Sequence, residues 1–135
     1  MATFETNGPR SSPTTILIVD DEPVLRRLLS HVLTEAGFDV LEADNGETAL
    51  EVARRSRGCL DLVVADVHMP IMGGLEFARD FRPMYPRTPI LFISGRPEPA
   101  VLAEELLPKP FEAEALVAAV HRLLARWSAA RRSTA

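Results

Sequence analysis

Asp20, Asp21, Asp66, Ser94 and Lys109 each stand where a short apolar run ends. Two adjacent acids follow residues 15–19, one acid follows 60–65, a serine follows 90–93, and a lysine follows Leu106-Leu107-Pro108. Three carboxylates gathered in one pocket repel one another and resist full ionisation. A hard divalent cation with oxygen ligands relieves this, and Mg²⁺ fits because it takes one or two carboxylates and keeps several waters. A carboxylate in such a place can form an acyl phosphate. A hydroxyl and an ammonium facing it supply a hydrogen bond and a positive charge to the remaining phosphoryl oxygens. Lys109 is the only lysine in a chain with fourteen arginines, so a compact point charge stands at one place in a chain that otherwise uses the planar fork. Singly, each acid reads as a solvated loop residue or a helix cap, and Ser94 as a turn serine before Gly95. Only the combination points to chemistry.

Helix-like segments separate the apolar runs, which therefore read as strands of a parallel sheet buried on both faces. The site of such a sheet lies beyond the carboxyl ends of its strands, where these polar residues fall. The first strand spans about 15–19, and a helix begins near Pro23 and stops at Gly37. Its expected buried stripe is Val24, Leu25, Leu28, Leu29, Val32 and Leu33. A second strand covers 38–43, and Asn45 is an N-cap for a helix over about 46–56. Strands are expected at 60–65 and 89–93 with a helix at about 74–82 between them, and a last helix at about 112–127. The fold expected is a doubly wound α/β architecture with a five-stranded parallel sheet, flavodoxin-like, with right-handed crossovers. It occupies 15–128, between a polar tail or linker at 1–14 and a frayed C-terminal tail at 129–135.

Composition narrows the function. With 47% hydrophobic and 25% charged residues, the chain is an ordinary globular domain. A net charge of −4 gives no support to a nucleic-acid surface. The single cysteine, Cys59, excludes an internal disulfide and fits a reducing compartment. No stretch approaches the roughly 20 apolar residues of a membrane span, and residues 1–14 lack the apolar core of a signal peptide. A cytoplasmic location is expected.

The motifs ILIVDDEP (16–23), DVHMPIMGG (66–74), FISG (92–95) and PKPF (108–111), in this order, resemble those of response-regulator receiver domains of two-component signalling. The resemblance covers about 15–127. It implies that Asp66 accepts a phosphoryl group from a sensor histidine kinase or a histidine phosphotransfer protein. It implies direct Mg²⁺ ligation by Asp21, Asp66 and the backbone carbonyl of His68, with Asp20 acting through water. Ser94 would move toward the phosphoryl group, Lys109 would pair with it, and the Lys109-Pro110 bond would be cis. The side chain of His68, two residues after Asp66, stands where family members vary and dephosphorylation rate is tuned. The resemblance fits both a stand-alone receiver and one belonging to a hybrid kinase. It implies no enzyme beyond the domain's own phosphorylation and dephosphorylation.

Two departures stand out. Only fourteen residues, 95–108, separate Ser94 from Lys109, and Pro97, Pro99 and Pro108 interrupt them. The family's fourth helix and fifth strand need roughly 11 and roughly 5 residues at ordinary lengths. A helix of about two turns near 99–105 and a strand stub at Leu106-Leu107 are expected instead, in a segment of low stability that gains order on phosphorylation. Second, Leu106 stands where receivers carry an aromatic switch residue. The alternative function is a degenerate receiver acting as a phosphorylation-independent interaction module. A haloacid-dehalogenase-type phosphatase needs its two aspartates two apart, whereas Asp20 and Asp21 are adjacent. A flavin protein is disfavoured by the acidic first loop.

Overall fold

The computed structural model describes residues 14–134. Nearly all of the tail assigned to 1–14 lies outside the described residues. Five parallel strands form one sheet in the order β2-β1-β3-β4-β5: β1 (Thr15–Val19), β2 (Asp39–Ala43), β3 (Leu62–Asp66), β4 (Ile90–Ser94) and β5 (Leu106–Pro108). The helices are α1 (Pro23–Glu35), α2 (Gly46–Arg55), α3 (Gly74–Phe81) and α4 (Ala113–Thr134). This is the doubly wound, flavodoxin-like order expected from the sequence.

The central strands are apolar up to their last residues, Asp66 on β3 and Ser94 on β4, because both sheet faces are covered. Alternate residues divide between two cores. Leu17, Val19, Val63, Ala65 and Phe92 pack with residues of α2 and α3. Ile16, Ile18, Val64, Leu91 and Ile93 pack with residues of α1 and α4 on the other face. Strand β2 lies at an edge and shows the reverse, with mostly exposed or half-buried residues.

Local chemistry sets the ends of the helices. Pro23 opens α1, and Gly37 follows its end at φ +99°, where a side chain would be strained. Asn45 caps α2 as expected, its side-chain oxygen accepting from the Thr48 N–H at 2.9 Å. The Tyr85 hydroxyl, buried beyond α3, donates to the Ala53 carbonyl at 2.6 Å and accepts from the Gly58 N–H at 2.9 Å. It thereby ties α3 to the end of α2.

The structure corrects the sequence in three places. No helix forms at 99–105; the segment holds a 3₁₀ turn, Ala103–Glu105, leading directly into β5. Pro97 and Pro99 push their predecessors toward extended backbone, and too few residues remain to build two α-turns. Helix α4 continues to Thr134 rather than fraying after Trp127, since no Gly or Pro interrupts 113–134 and alanine and arginine favour helix. On α1, Leu29 and Leu33 are buried, but Val24 is 78% and Leu28 53% exposed. The apolar stripe of α1 is wider than the face the sheet covers.

Candidate functional site

The sheet's strand order reverses at β1, whose neighbours are β2 and β3, and the acids follow from that switch point. Val19 pairs with Ala65, so Asp20 and Asp66 come next on adjacent strands. Asp66 in turn pairs with Ile93, and Ser94 pairs with Pro108, which brings Ser94 and Lys109 to the same edge. The Lys109 N–H donates to the Ser94 carbonyl at 2.8 Å, the last rung before the chain turns away. The Lys109-Pro110 peptide is cis, as the resemblance implied.

Asp66 is buried and its two oxygens are separately held. Oδ1 accepts from the His68 N–H at 3.0 Å, and Oδ2 accepts from Lys109 Nζ at 2.8 Å. Burial, the largest influence on the Lys109 ammonium, works against its charge, but Asp66, Asp20 and Glu22 outweigh it and raise its pKa. Lys109 is therefore a permanent cation here. The loop after Asp66 is pinned by Gly74, where a Cβ would collide with the Asp66 carbonyl oxygen; the Gly74 N–H donates to the Val67 carbonyl at 2.9 Å. That approach explains why a glycine stands eight residues after the acid.

One carboxylate oxygen each from Asp20, Asp21 and Asp66 lie within 4.8 Å of one another, a group able to hold a metal ion. Asp20 is fully buried; its Oδ1 accepts from the Glu22 N–H at 2.9 Å, and its Oδ2 has no hydrogen-bond partner among the described residues. Burial pushes its pKa up from 3.8 to about 6; the neighbouring Asp66 and Asp21 charges push the same way, against the Glu22 N–H and Lys109. A buried acid with an unsatisfied oxygen beside two other acids fits a hard cation with oxygen ligands. Arg26 braces this corner, donating to the Asp20 carbonyl at 2.8 Å and to Glu42 at 3.0 Å.

All five polar residues singled out in the sequence thus meet at one edge; Asp21, Asp66 and Lys109 line an open cleft there with Glu22, His68, Gly95 and Arg96, and Asp20 and Ser94 are buried beside it. One residue was missed. Glu98 Oε2 accepts from the Ser94 hydroxyl at 2.8 Å and contacts His68 Nε2 at 2.7 Å. These two hydrogen bonds, with His68 first, hold the Glu98 pKa below its ordinary value. Its only sequence signal is an acid between two prolines, which sets no direction for the side chain. His31 and His121 are exposed, as expected; His121 also rests against Phe38 with ring centroids 5.5 Å apart.

A five-stranded parallel sheet of this order, with an acidic cluster and a lysine at the carboxyl edge, defines a flavodoxin-like α/β domain whose polar site lies beyond the ends of its strands. The family model for the response regulator receiver domain matches residues 16–121, and the chain belongs to that family. Over 121 residues it is 36% identical to the sensor kinase CckA of Brucella abortus, covering 84% of this chain and 13% of that protein. It is 35% identical over 121 residues to the probable transcriptional regulatory protein TcrX of Mycobacterium tuberculosis, covering 84% of this chain and 51% of that protein. Among solved structures, the chemotaxis protein CheY4 of Vibrio cholerae superposes with TM-score 0.75 at 34% identity, covering 83% of this chain and 99% of that one. The receiver domain of the hybrid histidine kinase CckA superposes with TM-score 0.73 at 36% identity, covering 82% of this chain and 98% of that one. The chain spans about half the length, or less, of the curated relatives it matches. No helix among the described residues is long and apolar enough to cross a membrane.

Proposed function

We propose that this receiver accepts a phosphoryl group on Asp66 from a phosphohistidine of a sensor kinase or phosphotransfer protein, and signals by the resulting change in shape. The observation that carries this is the pairing of Lys109 Nζ with Asp66 Oδ2 at 2.8 Å beside the three-acid cluster. An Asp66 oxygen attacks phosphorus, the P–N bond breaks, and its electron pair returns to the histidine nitrogen. Hydrolysis reverses the modification: water attacks phosphorus, the P–O bond to Asp66 breaks, and phosphate leaves. Beyond this exchange on its own aspartate, the chain has no enzymatic role in this reading.

The residues divide the work. Asp66 is the acceptor. Lys109 neutralises one phosphoryl oxygen, and the Ser94 hydroxyl donates a hydrogen bond to another. Asp20, Asp21, Asp66 and the backbone carbonyl of His68 would hold Mg²⁺. When bound, that ion would offset negative charge on the carboxylates and the transferred group.

Val24 and Leu28 expose apolar surface on α1, and a groove lined by Leu25, Leu28, Lys109, Pro110 and Phe111 lies beside the site. A helix carrying the phosphohistidine would rest there with its imidazole over Asp66. The net charge of −4 makes a protein the expected target rather than nucleic acid, and the location remains proposed as cytoplasmic. The gathering of Asp20, Asp21, Asp66, Ser94 and Lys109 at one edge of the sheet weighs against a degenerate receiver. Incubation with Mg²⁺ and acetyl phosphate tests the reading. The wild type should gain about 80 Da, one phosphoryl group, and Asp66→Asn should gain nothing. Full labelling of that variant would reject Asp66 as the acceptor.

A further inference from the structure

The segment from Gly95 to Leu102, which stands where the family's fourth helix belongs, borders the site cleft at Gly95 and Arg96 and hydrogen-bonds back to it through the Glu98 side chain. Glu98 Oε2 accepts from the Ser94 hydroxyl at 2.8 Å and contacts His68 Nε2 at 2.7 Å. Its side chain is 10% exposed. Ser94 is itself buried, and its oxygen also accepts from the Arg96 N–H at 3.2 Å. A hydroxyl has one proton to donate, and here Glu98 receives it.

We propose that Glu98 is a positioning residue that latches the 95–102 segment over the site in the unphosphorylated protein, and that a phosphoryl group on Asp66 releases it by claiming the Ser94 proton. The inference rests on the reading of Asp66 as phosphoacceptor. Two effects drive release. The Ser94 hydroxyl cannot serve Glu98 and a phosphoryl oxygen with the same proton. The new phosphoryl charge then faces the Glu98 carboxylate, which has lost the Ser94 bond and keeps only its contact with His68 and the nearby Arg96 charge. The segment that carries Glu98 lacks α-helix and is punctuated by Pro97 and Pro99; besides Glu98 it is held by Val101, whose N–H donates to the Glu98 carbonyl at 3.0 Å and whose side chain packs against the core, so the movement turns about that anchor. Phosphorylation thus becomes a loosening of this surface, opposite in sign to the ordering expected from the sequence alone. Leu106 needs no aromatic ring for such a switch, because the moving part is the segment itself.

Amide exchange on the full chain tests this with two variants. In metal-free protein, Glu98→Ala removes both hydrogen bonds, and exchange across 95–102 should rise about tenfold, as loss of charge-assisted bonds from a local opening unit requires. The wild type should reach that level only with Mg²⁺ and beryllofluoride, a phosphoryl mimic. Glu98→Gln keeps an oxygen for the Ser94 hydroxyl but no charge. It should preserve most of the metal-free protection and show a smaller response to beryllofluoride. Alanine should also lower the half-saturating beryllofluoride concentration, since Ser94 is already free, an effect that a purely structural contact would not produce. Wild-type exchange in metal-free Glu98→Ala, or a wild-type segment that becomes more protected with beryllofluoride, would overturn the latch. Acetyl phosphate labelling run in parallel separates the two failures. Label on Asp66 with an unresponsive segment rejects the latch alone, whereas absence of label from the wild type rejects the acceptor reading.

Discussion

The Lys109 ammonium lies 2.8 Å from Asp66 Oδ2, joining the end of β5 to the end of β3 across β4. This pair measures the pocket: an amine on a four-carbon stem fits the distance and occupies one carboxylate oxygen. Lys109→Arg should fold, because charge and stem packing remain, yet respond poorly to phosphorylation, because a planar fork cannot occupy a space suited to a point charge. Partner binding or beryllofluoride-induced exchange that matches the wild type would refute a geometric role for the lysine.

Asp20 sets a pH dependence whose sign is fixed by its raised pKa. Its ordinary value of 3.8 rises to about 6 on folding, a difference equivalent to ~3 kcal/mol. A raised acid favours the fold in its protonated form, so this contribution is complete below pH ~4 and is lost as pH rises through ~6. Metal-free Asp20→Asn should therefore gain stability over the wild type progressively between pH 4 and pH 7, by about 1–3 kcal/mol at the upper end. Urea titrations of both proteins without metal give the difference directly; a constant offset across that range would contradict the burial argument.

The same acid links protons to metal. Mg²⁺ must displace the Asp20 proton at pH 5 but not at pH 7.5, so the rise in Tm produced by Mg²⁺ should be larger at the higher pH. Thermal unfolding at matched ionic strength checks this, and an equal rise at both values would place the ion elsewhere.

Gly74→Ala should destabilise the protein by about 2–4 kcal/mol or displace the Asp66 backbone, since its Cβ meets a carbonyl oxygen rather than a movable side chain. A Tm within a degree of the wild type, together with normal acetyl phosphate labelling, would show that the loop yields more readily than this approach implies.

Ile71 sits at φ +70° and is 75% exposed, so it combines a left-handed backbone with a β-branched side chain that buries little. Ile71→Asn should raise stability by about 0.5–1 kcal/mol by relieving that strain. A loss of stability in chemical denaturation would mean that the isoleucine makes a contact of greater worth than its exposure suggests.

Sequence alone determined the architecture and most of the site. Apolar runs ending in Asp20-Asp21, Asp66, Ser94 and Lys109 name both the strands and the edge where they finish, because a sheet buried on both faces leaves polar residues only at its ends. Asn45, Pro23 and Gly37 act within a few residues of themselves, so the helix ends they govern were legible too. Tertiary structure decided what depends on distant partners. Val24 and Leu28 continue the apolar stripe of α1, and only the width of the sheet beneath leaves them exposed. The residues of 95–108 show that two full elements do not fit, but not that α-helix would vanish altogether. Glu98 meets His68, thirty residues away, through a loop with no periodicity to aim it. A pattern in sequence fixes which face of a regular element is buried, whereas a side chain on an irregular segment takes its direction from the fold around it.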